Sequence, residues 1–249
     1  MPILHHQLAA LVIAPFIGSF LSVLVVRLPV SAPVVVGRSR CRACGEALAP
    51  VDLLPLLSWL WRRGRCRHCR APVSTLYPAL ELAAIGVAVW SAAETTGAWF
   101  WLSCALGWML LTLAVTDARD MILPDALTLP LIGAGLAFGA AFDRDDLADH
   151  AIGAVAGFLA LYGINAIYRR IRGREGLGLG DAKLLAASGG WLGWPALPSV
   201  VLIAGVAALI AILVGRAAGR RLGPGDPVPF GAFLAAGFWL VWLYGPLGS

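Results

Sequence analysis

Residues 8 to 28 read LAALVIAPFIGSFLSVLVVRL, and the only charged side chain in this run is Arg27, next to its end. A helix needs about 20 mainly apolar residues to cross roughly 30 Å of hydrocarbon, so this stretch predicts a membrane-spanning helix. It lacks the basic start and the small-residue cleavage site of a removable signal peptide. We therefore expect it to be a helix of the folded protein.

The composition of the whole chain extends this prediction. Hydrophobic residues make up 59% of the 249 residues, charged residues only 13%, and the mean hydropathy is +0.82. A soluble domain of this composition would expose too much apolar surface to water, which excludes an ordinary soluble protein. We predict an all-α polytopic membrane protein.

About eight stretches are long and apolar enough to be transmembrane helices. Glycines 189 and 190 and prolines 195 and 198 are expected to interrupt the sixth and seventh of them. The eight candidates are roughly 8 to 28, 76 to 94, 99 to 117, 126 to 142, 150 to 168, 182 to 195, 197 to 215 and 229 to 246. The many small residues favour helices that pack closely in lipid.

The basic residues predict which side of the membrane each loop faces, because cytoplasmic loops retain Lys and Arg. With the N-terminus outside, in the periplasm, 18 of the 19 Lys and Arg residues lie on the inner side and only Arg144 lies outside. The +5 net charge thus comes from short clusters at membrane boundaries, and no nucleic-acid partner is expected.

The first inner loop, about 29 to 75, contains CRAC at 41 to 44 and CRHC at 66 to 69. Two C-x-x-C pairs separated by 21 residues have the spacing of a tetrahedral zinc site, so Cys41, Cys44, Cys66 and Cys69 are the predicted metal ligands. Four thiolates leave no open position for a catalytic water, so the predicted zinc is structural. Unmetallated thiols are the alternative, and disulfides are disfavoured in the reducing cytoplasm.

Two carboxylates at predicted helix ends are candidate catalytic groups. Asp117 ends the third span in AVTDARD, and Asp181 opens the sixth in GLGLGDAKLL. Two crossings between them return the chain to the same surface, where two facing carboxylates can share one proton. One can then act as general base on water while the other polarises a peptide carbonyl, which is the chemistry of aspartic proteolysis.

Three neighbours of Asp181 extend this candidate site, and one alternative stays open. Gly178 and Gly180 can let an extended substrate approach the carboxylate closely. Lys183 can be a snorkelling charge, a partner for Asp181 or a surface anchor. The alternative is that Asp181 only caps its helix, a common role of aspartate.

These motifs together resemble the type IV prepilin peptidases, the bacterial G-x-G-D membrane aspartic proteases. The similarity covers nearly the whole chain. It is found in GSFLSVLVVRLP (18 to 29), the paired C-x-x-C loop, LLPLLSWLWRRGRCRHC (53 to 69), YPALEL (77 to 82), TDARDMILPD (116 to 125), EGLGLGDAKLLAASGGWLGW (175 to 194) and PFGAFLA (229 to 235).

The resemblance implies a multi-pass enzyme of the bacterial inner membrane that removes the short basic leader of type IV prepilins and type II secretion pseudopilins. Cleavage is implied after a glycine at the cytoplasmic face, with the family's catalytic aspartates falling on Asp117 and Asp181. The partners implied are these substrates and membrane lipid.

Many members also methylate the new N-terminus with S-adenosylmethionine, and those typically keep a zinc-type loop like the one here. Glu81, within YPALEL, matches a family motif and is a candidate for the methylation site. The resemblance divides the chain into a methylation-associated region, 1 to 75, and a transmembrane peptidase domain, 76 to 249.

Other functions remain open on the residues alone. A transporter also uses intramembrane carboxylates, although these are expected near the bilayer midplane and not at its inner edge. A zinc-stabilised scaffold without chemistry would use both aspartates as caps. Presenilin-type proteases pair G-x-G-D with a Tyr-Asp, whereas Asp117 here follows Thr116.

Overall fold

The structure, a computed structural model, describes residues 2–34, 38–173, 176–219 and 227–248, with only the backbone for residues 2–4. The predicted inner-side charges Arg174, Arg220 and Arg221, and Glu175 of the G-x-G-D motif region, lie outside these residues. Within the described ranges the chain forms nine α-helices: α1 Pro2–Arg27, α2 Leu57–Trp61, α3 Leu76–Glu94, α4 Gly97–Asp120, α5 Asp125–Phe142, α6 Leu147–Arg172, α7 Leu179–Leu192, α8 Leu197–Ala217 and α9 Phe230–Tyr244.

The all-α prediction is confirmed, and each of the eight candidate spans overlaps one of these helices. The described residues contain no β-strand, only two isolated bridges in the cysteine loop. Six of the helices, α1, α3, α4, α5, α6 and α8 with the turn before it, are long and apolar enough to cross a membrane. The other two, α7 and α9, have 14 and 15 residues.

Helix α7 differs from its prediction at both ends. It begins at Leu179 instead of 182, so Asp181 lies inside its first turn. Gly189 and Gly190 do not interrupt it, and that expectation is wrong. The helix ends only at Leu192, because Gly193 takes a left-handed φ of +78° and a short 3₁₀ turn containing Pro195 follows.

The chain forms two compact units, residues 1–112 and 113–249. In the first unit, α1 packs along α3, and small residues such as Ala10, Ala14, Ala84 and Ala88 are fully buried between them. The backbones approach so closely that a Cβ on Gly18 of α1 would lie 2.5 Å from the Cα of Glu81 on α3. This contact brings the start of α3 against α1.

In the second unit, α7 is the central helix and packs mainly on α5 and α6. Ten of its 14 residues are buried. Glycines permit this packing: a Cβ on Gly189 would lie 2.1 Å from the carbonyl oxygen of Gly153, and one on Gly157 would lie 2.6 Å from that of Leu185. At about 1.5 Å per residue the 14 residues of α7 span about 21 Å, which is less than the roughly 30 Å of the hydrocarbon layer.

Candidate active site and metal site

The two candidate aspartates lie in the second unit at the ends of different helices. Asp117 is in the last turn of α4, and Asp181 is the third residue of α7. Their exposed fractions are only 6% and 7%. Because an isolated buried carboxylate is costly, the hydrogen bonds that each one accepts decide how it is held.

Backbone N–H groups hold one oxygen of each carboxylate. The N–H of Ala232, in the first turn of α9, donates to Asp117 Oδ2 at 2.9 Å. The N–H of Gly178, which precedes α7, donates to Asp181 Oδ2 at 3.1 Å. Gly178 is the N-cap residue of α7, and Asp181, three residues later, accepts its N–H as in a capping box, so Asp181 helps to cap the helix without being its N-cap.

The other oxygen of Asp181 faces Asp117 across Gly231. A Cβ built on Gly231 would lie 2.9 Å from Asp181 Oδ1 and 3.0 Å from Asp117 Oδ2. These two oxygens are therefore within about 6 Å of each other, since both are about 3 Å from one point. The structure thus places the two predicted carboxylates together, with the first turn of α9 between them.

One apolar side chain closes a side of this carboxylate pair. Leu123, in the turn between α4 and α5, is 7% exposed. Its Cδ1 atom would lie 2.7 Å from a Cβ on Gly231, and its Cβ atom 2.8 Å from one on Gly180. Met121, two residues earlier, has a left-handed φ of +53° and redirects the chain after α4, so that Leu123 lies against both glycines.

Asn165 of α6 positions the segment that leads into Asp181. Its Oδ1 atom accepts the N–H groups of Gly176 and Leu177 at 3.0 and 3.1 Å. Gly178 follows in an extended conformation, with φ −73° and ψ 147°. A cavity of about 150 Å³ lies beside this segment, lined by Tyr162, Asn165 and Arg169 of α6 and by Gly178, Leu179 and Ala182.

Lys183 does not pair with Asp181. Its Nζ lies 2.5 Å from Oδ1 of Asp125, the first residue of α5. The Lys183 side chain is 18% exposed and that of Asp125 is 59% exposed, so this ion pair lies at the surface. It joins the start of α5 to the start of α7, the helix whose first turn contains Asp181.

The four loop cysteines form one cluster in the first unit, as predicted. All four Sγ atoms lie within 4.8 Å of one another, and those of Cys41 and Cys69 are 3.8 Å apart. A tetrahedron with Zn–S distances near 2.3 Å has S···S edges of about 3.8 Å. All four thiols are free, and an S–S bond would need about 2.05 Å.

The two cysteine pairs have the same local fold. The N–H groups of Cys44 and Ala43 donate to the Cys41 thiol and lower its pKa to about 6. Those of Cys69 and His68 likewise lower the pKa of Cys66. At Cys44 the N–H of Glu46 also lowers the pKa, but desolvation and donation to the other three thiols raise it overall, to about 11. The chain therefore arranges four interacting sulfur ligands that could hold a metal ion.

His68 lies between two of these ligands in sequence, whereas Cys104 lies in α4, outside the cysteine loop. His68 is exposed, as expected for a residue outside a four-cysteine shell. Cys104 is fully buried in α4 and belongs to an apolar cluster with Phe100 and Trp108, as expected of a small core residue.

Glu81 of α3 is 5% exposed and attaches the cysteine loop to the helices. Its Oε2 atom accepts the N–H of Leu56 at 2.7 Å. Leu56 has a left-handed φ of +59° at the start of the short helix α2, a conformation that is uncommon for leucine. The carboxylate thus holds a strained turn of the loop against α3.

The sequence arguments did not identify Gly231, Leu123 or Asn165. Gly231 is within the PFGAFLA motif, whose glycine after Pro229 and Phe230 is the one signal that could have drawn attention to it. Leu123 is one apolar residue among many. Asn165 is an uncharged polar residue in the interior of a helix otherwise rich in apolar residues, which is a weak signal of a positioning role.

The fold and this site define a polytopic helical membrane protein with a buried pair of carboxylates, an arrangement suited to aspartic peptidase chemistry. The chain belongs to the type IV leader peptidase family. It matches that family's model over residues 104–213 and the model of the bacterial peptidase A24 N-terminal domain over residues 12–95. It is accordingly an enzyme of the leader peptidase class and a multi-pass protein of the bacterial inner membrane.

Three relatives illustrate the similarity, and each is named a prepilin leader peptidase/N-methyltransferase. That of Aeromonas hydrophila is 38% identical over 98% of this chain and 92% of its own length. That of Burkholderia pseudomallei strain 1026b is 42% identical over 93% of this chain and 83% of its own length. That of Stutzerimonas stutzeri is 34% identical over 97% of this chain and 92% of its own length. No solved structure matches the chain significantly. The transporter alternative is not favoured by these relatives.

Proposed function

We propose that the chain removes the short basic leader of type IV prepilins and type II secretion pseudopilins, cutting after a glycine at the cytoplasmic membrane face. The observation that carries this proposal is the pairing of Asp117 and Asp181 beside Gly231. The names of the relatives supply the substrate class, since all three are prepilin leader peptidases.

The catalytic roles follow from the proximity of two buried carboxylates. Because two negative charges this close repel, the pair favours a state with one shared proton. The ionised partner takes a proton from water as the water oxygen attacks the scissile carbonyl carbon, and the protonated partner hydrogen-bonds the carbonyl oxygen. The C–N bond then breaks, and the amine leaves with the proton that the first carboxylate took from water, which restores the starting protonation of the pair. We assign the proton to the pair and not to one residue.

The cytoplasmic face is proposed from the distribution of positive charge. With a periplasmic N-terminus, all but one of the Lys and Arg residues face the cytoplasm, including Arg119 near Asp117 and Lys183 near Asp181. A substrate with a long apolar helix and a basic leader in the same orientation brings its scissile bond to the boundary where both aspartates lie.

We also propose that the enzyme methylates the N-terminus that cleavage creates, with residues 1–75 as the region associated with this activity and 76–249 as the peptidase domain. The relatives' names support the second activity. S-adenosylmethionine would supply the methyl group. One carboxylate oxygen of Glu81, the candidate for this site, accepts the N–H of Leu56, so the proposed contribution of Glu81 is to hold the cysteine loop in place.

Zinc is the proposed metal of the cysteine cluster because four sulfur atoms within 4.8 Å of one another are close enough to share one ion, and zinc favours a shell of four thiolates. A complete sulfur shell leaves no position for substrate. The metal's proposed contribution is therefore to the folding of a loop that has little core of its own.

We expect the purified protein to contain about one zinc per chain, measured by elemental analysis. Cys44→Ser should lose most of this metal and make residues 38 to 75 more sensitive to limited proteolysis, because the loop loses a ligand. Cys104→Ala is the matched control, since Cys104 lies in α4 away from the cluster, and it should keep the metal. Equal metal content in the two variants would contradict the site.

The proposed function is tested directly by incubating the purified full-length enzyme with a prepilin and S-adenosylmethionine and measuring the product masses. We expect loss of the leader and addition of one methyl group, about 14 Da, to the mature chain. A folded enzyme that leaves the prepilin intact would contradict the peptidase proposal. A cleaved but unmethylated product would contradict only the second activity.

A further inference from the structure

Leu123 lies directly beside the carboxylate pair at which the cleaved bond must be held. Its side chain is 7% exposed and extends from Gly180 of α7 to Gly231 of α9, on one side of the carboxylate pair. Its Cδ1 atom lies within about 6 Å of both facing oxygens, since it and they lie about 3 Å from the same point on Gly231. The hydrogen bonds that hold the aspartates come from the backbone N–H groups of Gly178 and Ala232 and do not involve Leu123.

The geometry of peptide hydrolysis sets the distance between this side chain and the substrate. A water bound to a carboxylate lies about 2.6–3.2 Å from its oxygen, and the attacked carbonyl carbon lies about 3–3.5 Å from that water. The Cα of the residue before the bond is about 1.5 Å further on. These three lengths sum to about 7–8 Å when the atoms lie in line and to less when they do not, so a side chain on that Cα branches in the region around the carboxylates that Leu123, within about 6 Å of the same oxygens, also occupies.

We propose that Leu123 determines specificity: its side chain fills the space that a side chain before the cleaved bond would need, and so restricts that position to glycine. Gly180 and Gly231 have no side chains, and Leu123 occupies the room that they leave. The inference rests on the proposed function and deepens it, because it names the residue that selects the substrate by contact next to the cleaved bond.

The test compares one prepilin carrying either glycine or alanine before the cleaved bond, with kcat/KM measured for both by product mass. One extra methyl group in a fitted site costs about 10- to 200-fold, so we expect the unmodified enzyme to prefer glycine by that factor. Leu123→Ala should reduce this preference at least about 10-fold, and Leu123→Val should reduce it to an intermediate value. The preference should fall because kcat/KM for the alanine substrate rises relative to kcat/KM for the glycine substrate.

Leu131→Ala is the matched control, because Leu131 is also buried, at 4% exposed, but lies two turns along α5. It should keep the glycine preference of the unmodified enzyme. An unchanged ratio in Leu123→Val, and in Leu123→Ala wherever that variant cleaves at all, would overturn the inference and give Leu123 a packing role only. Failure of the unmodified enzyme to cut even the glycine substrate would instead contradict the proposed function.

Discussion

Asp117→Asn and Asp181→Asn should each abolish leader cleavage. An amide cannot accept the proton of the attacking water or share a proton with its partner, and a positioned acid or base contributes about 10²- to 10⁴-fold to a rate. We expect kcat/KM to fall at least about 10³-fold, measured with purified enzyme and a prepilin. The double variant should be no slower than either single one, because the two groups act as a unit.

Asp120→Asn is the control for this prediction. Asp120 is on the same helix as Asp117 but is exposed, so its charge can change without affecting the buried pair. All variants should melt within about 3 °C of the unmodified protein, since an asparagine can still accept the N–H groups that hold the two sites. Activity that survives either substitution in the buried pair would show that the aspartates are only helix caps.

The helices could be predicted from sequence because each one carries its own signal. The apolar run of α3, 76 to 94, has the same bounds in the structure as in the prediction. The bounds of α7 could not be predicted in this way, because glycines that destabilise an isolated helix are favourable where another backbone replaces water. Gly189 is such a residue, since its α-carbon lies against the carbonyl of Gly153.

The proximity of Asp117 and Asp181 could be inferred from topology, because two crossings return the chain to the same surface. What lies between them could not. Gly231 is more than 100 residues from Asp117 in sequence, and nothing in an apolar helix start indicates which carboxylate its N–H groups will meet. Such a contact depends on how three helix ends converge, which no local pattern encodes.

The two interpretations of Asp181 turn out to describe different oxygens of one side chain. Oδ2 accepts the N–H of Gly178 and satisfies the start of α7, whereas Oδ1 faces the Asp117 carboxylate. A cap and a reactive group are therefore compatible, and the cap fixes the rotamer that presents the second oxygen. From the sequence alone the two roles are alternatives, because a motif gives one role to one residue and does not distinguish the two oxygens of its carboxylate.

The contact between Lys183 and Asp125 likewise could not be predicted from the residues next to them in sequence. The sequence suggests Asp181 as a partner for Lys183, and it offers no sign that Lys183 and Asp125 belong together. In the structure they pair with each other, although 58 residues separate them. Exposed ion pairs of this kind contribute about 0–1 kcal/mol, so the pair is expected to matter for the alignment of α5 and α7 more than for stability.

Gly231→Ala should reduce cleavage strongly without unfolding the protein. The new Cβ would lie 2.7 Å from Leu123 Cδ1, 2.9 Å from Asp181 Oδ1 and 3.0 Å from Asp117 Oδ2, so at least one of these groups must move. It would also occupy space within hydrogen-bonding distance of both carboxylates, where the attacking water is needed. A displacement of about 1 Å can cost about 10²-fold in rate, and we expect kcat/KM to fall by at least that factor.

The comparison with Gly133→Ala separates this steric effect from the effect of alanine in a helix. Gly133 is an exposed residue of α5 with open space at its Cβ position, so its substitution should leave cleavage unchanged. Alanine favours either helix by about 0.5–1 kcal/mol, which should offset part of the strain at residue 231 and keep that variant folded. If Gly231→Ala melts normally and cleaves at the unmodified rate, the carboxylates do not approach each other across this glycine, and the catalytic pairing proposed here is wrong.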